Sequence, residues 1–220
     1  MLKYFILGGR YMNKKIIGFY RSCDFVTMMS TVSAVVGIIL AINCQITAAV
    51  SCLILSGICD AFDGVLARRR KNTEDETTYG EELDSLSDVM AFGILPAVIS
   101  ICDGMNKIWC YPFIVFYVLC GLIRLAYFNM LAQKDDTDRS MFIGIPITSI
   151  TIIYPIFYII FKILFRTSIS NHIMIGMLFI TGLLYIVRIK VKKPDSTIRT
   201  ALTILGVIVI IGFGIWKYVS

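Results

Sequence analysis

Four aspartates stand at spacings that suit metal-assisted phosphate chemistry. Asp60 and Asp63 lie in CDAFDGVLARR, and Asp84 and Asp88 in GEELDSLSDV. Residues three or four apart share one face of a helix, so Asp60, Asp63, Gly64 and Ala67 form one stripe and Asp84 with Asp88 a second. A short polar connection makes the two helices antiparallel neighbours, and their acidic stripes can then meet. Four carboxylates brought together repel unless they are protonated or neutralised. Two divalent cations supply the matching positive charge, and hard oxygen ligands suit Mg²⁺ or Mn²⁺. A plainer account exists for part of the set. Acidic residues favour the first turn of a helix, which covers Glu81, Glu82 and Asp84, and Asp63 has Arg68 and Arg69 nearby. Neither reason reaches Asp60, about 12 Å of helix rise from Arg68. Ionisable groups at such depth in apolar helices are costly and mark function.

The elements that carry these groups must be membrane helices. Of 220 residues, 57% are hydrophobic and only 16% charged, against about 45–50% and about 25% in soluble domains. Seven spans of about 20 residues would consume roughly 140 positions. The expected fold is therefore an all-α integral membrane protein, a bundle of six to seven transmembrane helices. Secreted disulfide scaffolds, disordered chains and nucleic-acid binders are excluded as classes. The seven cysteines are scattered without a C-x-x-C pair and read as small buried hydrophobes. His172, the single histidine, has no neighbouring ligands and receives no role.

Apolar runs place helices at about 25–43, 46–66, 82–101, 108–131, 143–165, 172–187 and 198–219. Residues 1–22 carry Lys3, Arg10, Lys14 and Lys15 around short apolar stretches. They read as an amphipathic interfacial helix on an anionic membrane face. The whole chain, 1–220, is one membrane domain: this segment, a motif-bearing core at 24–147 and C-terminal helices at 148–220. With the amino terminus inside, sixteen of the 21 Lys and Arg residues fall on the cytoplasmic side and four opposite, with Arg124 inside a span. The polar stretch from Arg68 to Gly80 and the acidic cluster thus belong to the cytoplasmic face of the cell membrane.

The string Asp60-x-x-Asp63-Gly64-x-x-Ala67-Arg68, followed by Gly80-x-x-x-Asp84-x-x-x-Asp88, resembles the signature of the CDP-alcohol phosphatidyltransferase family. The spacer between Arg68 and Gly80 is longer than is common there. GEELDSLSDVMAFGILPA, RLAYFNM from Arg124, FIGIPI from Phe142 and DFVTMMS from Asp24 are similar to stretches of the integral-membrane phosphatidylserine synthases of that family. Tyr127 and Ala91 depart from that pattern, which often has arginine and serine at these places.

The resemblance implies a metal-dependent transfer from CDP-diacylglycerol to L-serine with release of CMP, in a lipid bilayer, with a second copy of the chain as a further expected partner. It implies that Asp60, Asp63, Asp84 and Asp88 hold two divalent cations and that Asp88 is the catalytic base. Asp60, Gly64, Ala67, Arg68 and Gly80 would contact the nucleotide, the small residues by letting it approach the backbone and Gly80 by preceding a helix start. Arg124 suits a clamp on the serine carboxylate or a lipid phosphate, with Asn129 assisting. The alternatives for Arg124 are an ion pair with an aspartate, and for Asn129 a helix cap. For the whole chain the alternatives are the same chemistry with glycerol phosphate, inositol phosphate or an archaeal CDP-lipid, and, from a different class, a metal-ion transporter. Transport fits poorly, because the halves of the helices away from the cytoplasmic side are almost wholly apolar.

Overall fold

A computed structural model describes residues 6–7, 10–11, 18–67, 73–132, 141–164, 169–188, 190–192, 204 and 206–213. Helices α1 (Ser22–Ile42) and α2 (Ile46–Ala67) form an antiparallel hairpin. The turn between them is tight: Cys44 takes φ 60°, and Asn43 Nδ2 donates to the carbonyl of Ile39 at 2.8 Å. In lipid no hydrophobic force drives helix against helix, so close packing and hydroxyl bridges hold them. Ser30 and Ser56 each donate to the other's carbonyl (3.2 and 3.1 Å), and Ser33 donates to that of Cys52 at 2.9 Å. At Gly37 a Cβ would stand 2.9 Å from both Cys52 Cβ and Leu95 Cδ1.

Next comes a long rod, Glu74–Cys102, built as α3 (Glu74–Asp88), a π turn (Val89–Ile94) and α4 (Leu95–Cys102). Its start corrects the expected boundary at residue 82. Thr73 Oγ1 accepts from the Glu76 amide, and the Glu76 carboxylate accepts from the Thr73 amide at 3.0 Å. This capping box, with Glu74, Asp75 and Glu76 in the first turn, starts the helix within what reads as a polar loop.

Helix α5 (Tyr111–Ala132) follows, then a short 3₁₀ turn (Ile147–Ser149) leading into α6 (Ile150–Phe157), a second π turn (Tyr158–Leu164), and α7 (Ser170–Ile186). Residues 206–213 are helical; the rest of the expected last span lies outside the described residues. Three helices are long and apolar enough to cross a membrane among the described residues, namely Cys23–Ile42, Glu74–Cys102 and Tyr111–Leu131. Shorter apolar helices span Ile46–Phe62, Ile147–Lys162 and Ser170–Ile186. The chain is a helical membrane protein of the expected kind.

Two small ribbons were not expected. Strand β1 (Ile6–Leu7) pairs antiparallel with β2 (Arg10–Tyr11), so these residues are not part of the interfacial helix read at 1–22. The other residues of 1–17 lie outside the described ones. Strand β3 (Met141–Ile143) pairs with β4 (Lys190–Lys192), so the helix read from residue 143 begins only at Ile147.

The α3–α4 rod packs on α1 and α2, and α5 packs on α7. Fully buried Leu53, Phe92, Leu95, Tyr117, Ile150, Tyr154 and Leu178 form the centre. Phe25, Met29, Val32, Val36 and Ile39 on α1 stay exposed, as a lipid-facing stripe would. At one end of the bundle Lys162 pairs with Asp103 at 3.0 Å and donates to its carbonyl at 3.1 Å. Lys162 also bonds Asn171, which reaches the carbonyl of Gly104 at 3.2 Å. This clasp ties the end of α4 to the second π turn and to the start of α7.

Candidate active site

Asp60 lies about two turns before the end of α2, and Asp84 and Asp88 lie one turn apart on α3. Carboxylate oxygens of all three fall within 4.8 Å of one another. That separation is close enough for a shared cation and unfavourable for three bare charges. Side-chain hydroxyls fix the register of α3. Thr31 Oγ1 donates to Ser87 Oγ (2.9 Å), and Ser87 Oγ donates to the carbonyl of Thr27 (3.2 Å). With Ser87 seated on α1, Asp84 and Asp88 line the cavity that Asp60 also borders.

The cluster borders a cavity of about 270 Å³ lined by α2, α3, α5 and the turn before α6. Arg124 and Asn129 line it too. Arg124 is 8% exposed, its Nε has no hydrogen-bond partner, and its guanidinium lies 5.8 Å from the Phe128 ring centre. It forms no ion pair with an aspartate among the described residues. A buried cation held this way is a ready partner for an anion entering the cavity. Asn129 bridges α5 to α3. Its Nδ2 donates to Ser85 Oγ at 2.9 Å, and that hydroxyl lies 3.0 Å from the carbonyl of Glu81.

Gly80 sits inside α3 rather than ahead of a helix start, which corrects the phosphate-facing position expected for it. A Cβ there would come within 2.0 Å of Arg21 Nη2. Arg21, 8% exposed, is bonded to Asp24, 2% exposed: Nη2 donates to Oδ1 at 2.7 Å and Nε to Oδ2 at 3.0 Å. What fills the notch over Gly80 is this ion pair. Asp63, Gly64 and Ala67 lie on α2, but their side chains are outside the described residues, as is Arg68 altogether.

Sequence reasoning missed several lining groups: Glu81, Ser85, Leu125, Phe128, Pro146, Ile147 and Thr148. Glu81 and Ser85 share the helical face of Asp84 and Asp88, which spacing alone could have shown. The wall at 146–148 follows Gly144 (φ 79°), where a Cβ would press to 3.0 Å from the carbonyl of Tyr185. Tyr127 lies outside the cavity lining, under the guanidinium of Arg188 at 5.8 Å.

The arrangement can hold hard cations at one end, bind an anion through Arg124, and take up a proton on a carboxylate. Comparison with known proteins points to the same chemistry. The family model described as CDP-alcohol phosphatidyltransferase matches residues 22–217. An archaetidylserine synthase of Methanothermobacter thermautotrophicus is 32% identical over 144 residues, 64% of this chain and 59% of that protein. The CDP-diacylglycerol–serine O-phosphatidyltransferase of Saccharomyces cerevisiae is 34% identical over 53% of this chain and 44% of its own. One of the same name from Methanocaldococcus jannaschii is 33% identical over 74% and 72%. The chain therefore spans about half to three quarters of the length of these relatives.

Proposed function

Since the chain belongs to the CDP-alcohol phosphatidyltransferase family, we propose that it transfers the phosphatidyl group of CDP-diacylglycerol to the hydroxyl of L-serine, giving phosphatidylserine and CMP. One observation carries this reading: Asp60, Asp84 and Asp88 converge on a cavity that also holds the buried cation of Arg124. The relatives, an archaetidylserine synthase and two serine O-phosphatidyltransferases, support serine as the acceptor.

The convergent carboxylates fit a dication site, which Asp60, Asp84 and Asp88 would build with Asp63. Mg²⁺ or Mn²⁺ bound there would supply charge neutralisation for the pyrophosphate and for the departing CMP oxygen. Asp88, the deepest of the set on α3, takes the proton of the serine hydroxyl as its oxygen bonds to phosphorus and the bond to CMP breaks. Arg124 grips the serine carboxylate or the lipid phosphate, and Asn129 holds Ser85 and the α3 face in place. Gly64, Ala67 and Arg68 meet the nucleotide.

Both water-soluble groups and acyl chains must reach one site. A cavity with carboxylates on one wall and Leu125, Phe128, Pro146 and Ile147 on another suits that mixture. The excess of basic residues on the side of the cluster supports a cytoplasmic placement and draws the anionic donor. The Methanothermobacter relative favours a second reading, in which the acceptor is the same and the donor carries archaeal lipid chains.

The test is CMP release from purified protein given CDP-diacylglycerol or its archaeal counterpart, Mn²⁺ or Mg²⁺, and single alcohols. Serine-dependent CMP is expected. Release that depends on glycerol phosphate or inositol phosphate instead would overturn the acceptor.

A further inference from the structure

The π turn Val89–Ile94 begins at the residue after Asp88. Such a turn widens the helix by one residue per turn, fits poorly, and persists where something outside the helix holds it. Here the sequence itself creates a gap. Pro96, just after the π turn, has no N–H to offer either Ala91, five residues back as in the turn, or Phe92, four back as in an α-helix. Phe92 is completely buried, and a buried carbonyl needs a donor. The hydroxyl of Tyr117, a fully buried residue of α5, donates to that carbonyl. The Tyr117 ring also packs 5.8 Å from that of Tyr185, whose hydroxyl donates to the Ile147 carbonyl at 3.0 Å on the opposite cavity wall.

We propose that Tyr117 is a positioning residue: through the Phe92 carbonyl it holds the π turn that follows Asp88, and so sets how Asp88 is presented to the cation cluster. The inference rests on the dication reading of the site. Tyr117 is not among the residues that line the cavity and acts one helical turn beyond Asp88.

The matched control is Tyr154. It is equally buried, and its hydroxyl pairs with Ser100 at 3.0 Å on α4, away from the cavity lining. Y117F and Y154F each delete one buried hydroxyl. The experiment titrates Mn²⁺ against the full-length protein in detergent and follows the rise in its unfolding temperature, with serine-dependent turnover measured in parallel. Losses of outer-shell support typically cost about tenfold or more in metal affinity. Y117F is expected to raise the Mn²⁺ midpoint about tenfold and to lower kcat with the KM for CDP-diacylglycerol unchanged. Y154F is expected to lower the unfolding temperature to a similar extent with the wild-type Mn²⁺ midpoint. A wild-type midpoint in Y117F, or the same shift in both variants, overturns the role of Tyr117 while leaving the dication site standing. No Mn²⁺ stabilisation of the wild-type protein removes the site and the inference together.

Discussion

Replacing Gly80 with alanine decides whether this motif glycine faces a ligand or a side chain. The new Cβ would stand 2.0 Å from Arg21 Nη2 and 3.2 Å from its Cζ. Ordinary contact is about 3.5 Å or more, so the guanidinium must withdraw by at least about 1 Å. The Nη2–Oδ1 bond to Asp24, 2.7 Å long, is lost by that movement, while the Nε contacts at 3.0 and 3.2 Å can partly adjust. Asp24 is 2% exposed, so water does not replace the missing donor. A lost charge-assisted hydrogen bond at such a site costs about 1.5–3 kcal/mol. The assay is reversible unfolding of the purified protein for G80A in two backgrounds, wild type and R21A/D24A. The full loss is expected in the first and less than about 0.5 kcal/mol in the second, since no guanidinium remains to collide. An equal loss in both, together with a raised KM for CDP-diacylglycerol in both, would refute the packing explanation and return Gly80 to the nucleotide.

Asp88→Asn is expected to lower kcat about 10²–10⁴-fold with the fold intact, by comparison of turnover with unfolding temperature; near-normal turnover would remove Asp88 as base. Arg124→Lys keeps the charge and loses the planar fork, so the KM for its anionic partner, serine or donor lipid, rises about tenfold or more in initial-rate kinetics. Chelation by EDTA should abolish CMP release, and added Mn²⁺ should restore it. Lys162→Met leaves Asp103, 14% exposed, without its 3.0 Å partner and should cost about 3–5 kcal/mol near neutral pH. Burial pushes the Asp103 carboxyl above its ordinary value and Lys162 pulls it back. In the variant only the upward push remains. A folded-state pKa above the unfolded one means that the native state binds the proton more tightly, so the deficit should shrink as pH falls through that raised value. Unfolding curves from pH 4 to 8 check the sign.

The acidic core of the site was legible because helical spacing is rigid: once Asp60, Asp84 and Asp88 lie on two neighbouring helices, their convergence follows from the geometry of the helix. Arg124 was legible by the cost of a charge in an apolar run. The start of α3 was missed because hydropathy sees only apolar runs, and the signal lay instead in Thr73-x-x-Glu76, a local hydrogen-bonding pattern. The π turn after Asp88 and the Tyr117 bond that serves it were illegible for another reason. Pro96 announces a missing donor, yet nothing along the chain says which distant hydroxyl supplies it. The contact of the Arg21–Asp24 ion pair with Gly80 joins elements far apart in sequence, and glycine looks alike whether a nucleotide or an arginine needs the room.

The clasp formed by Asp103, Lys162 and Asn171 fastens three elements at the end of the bundle where the rod Glu74–Cys102 finishes, whereas Asp84 sits in its first half and Asp88 at its midpoint. The bundle is thus tied at two levels, by that charged clasp at one end and by the neutral Asn129–Ser85 and Thr31–Ser87 bridges beside the aspartates.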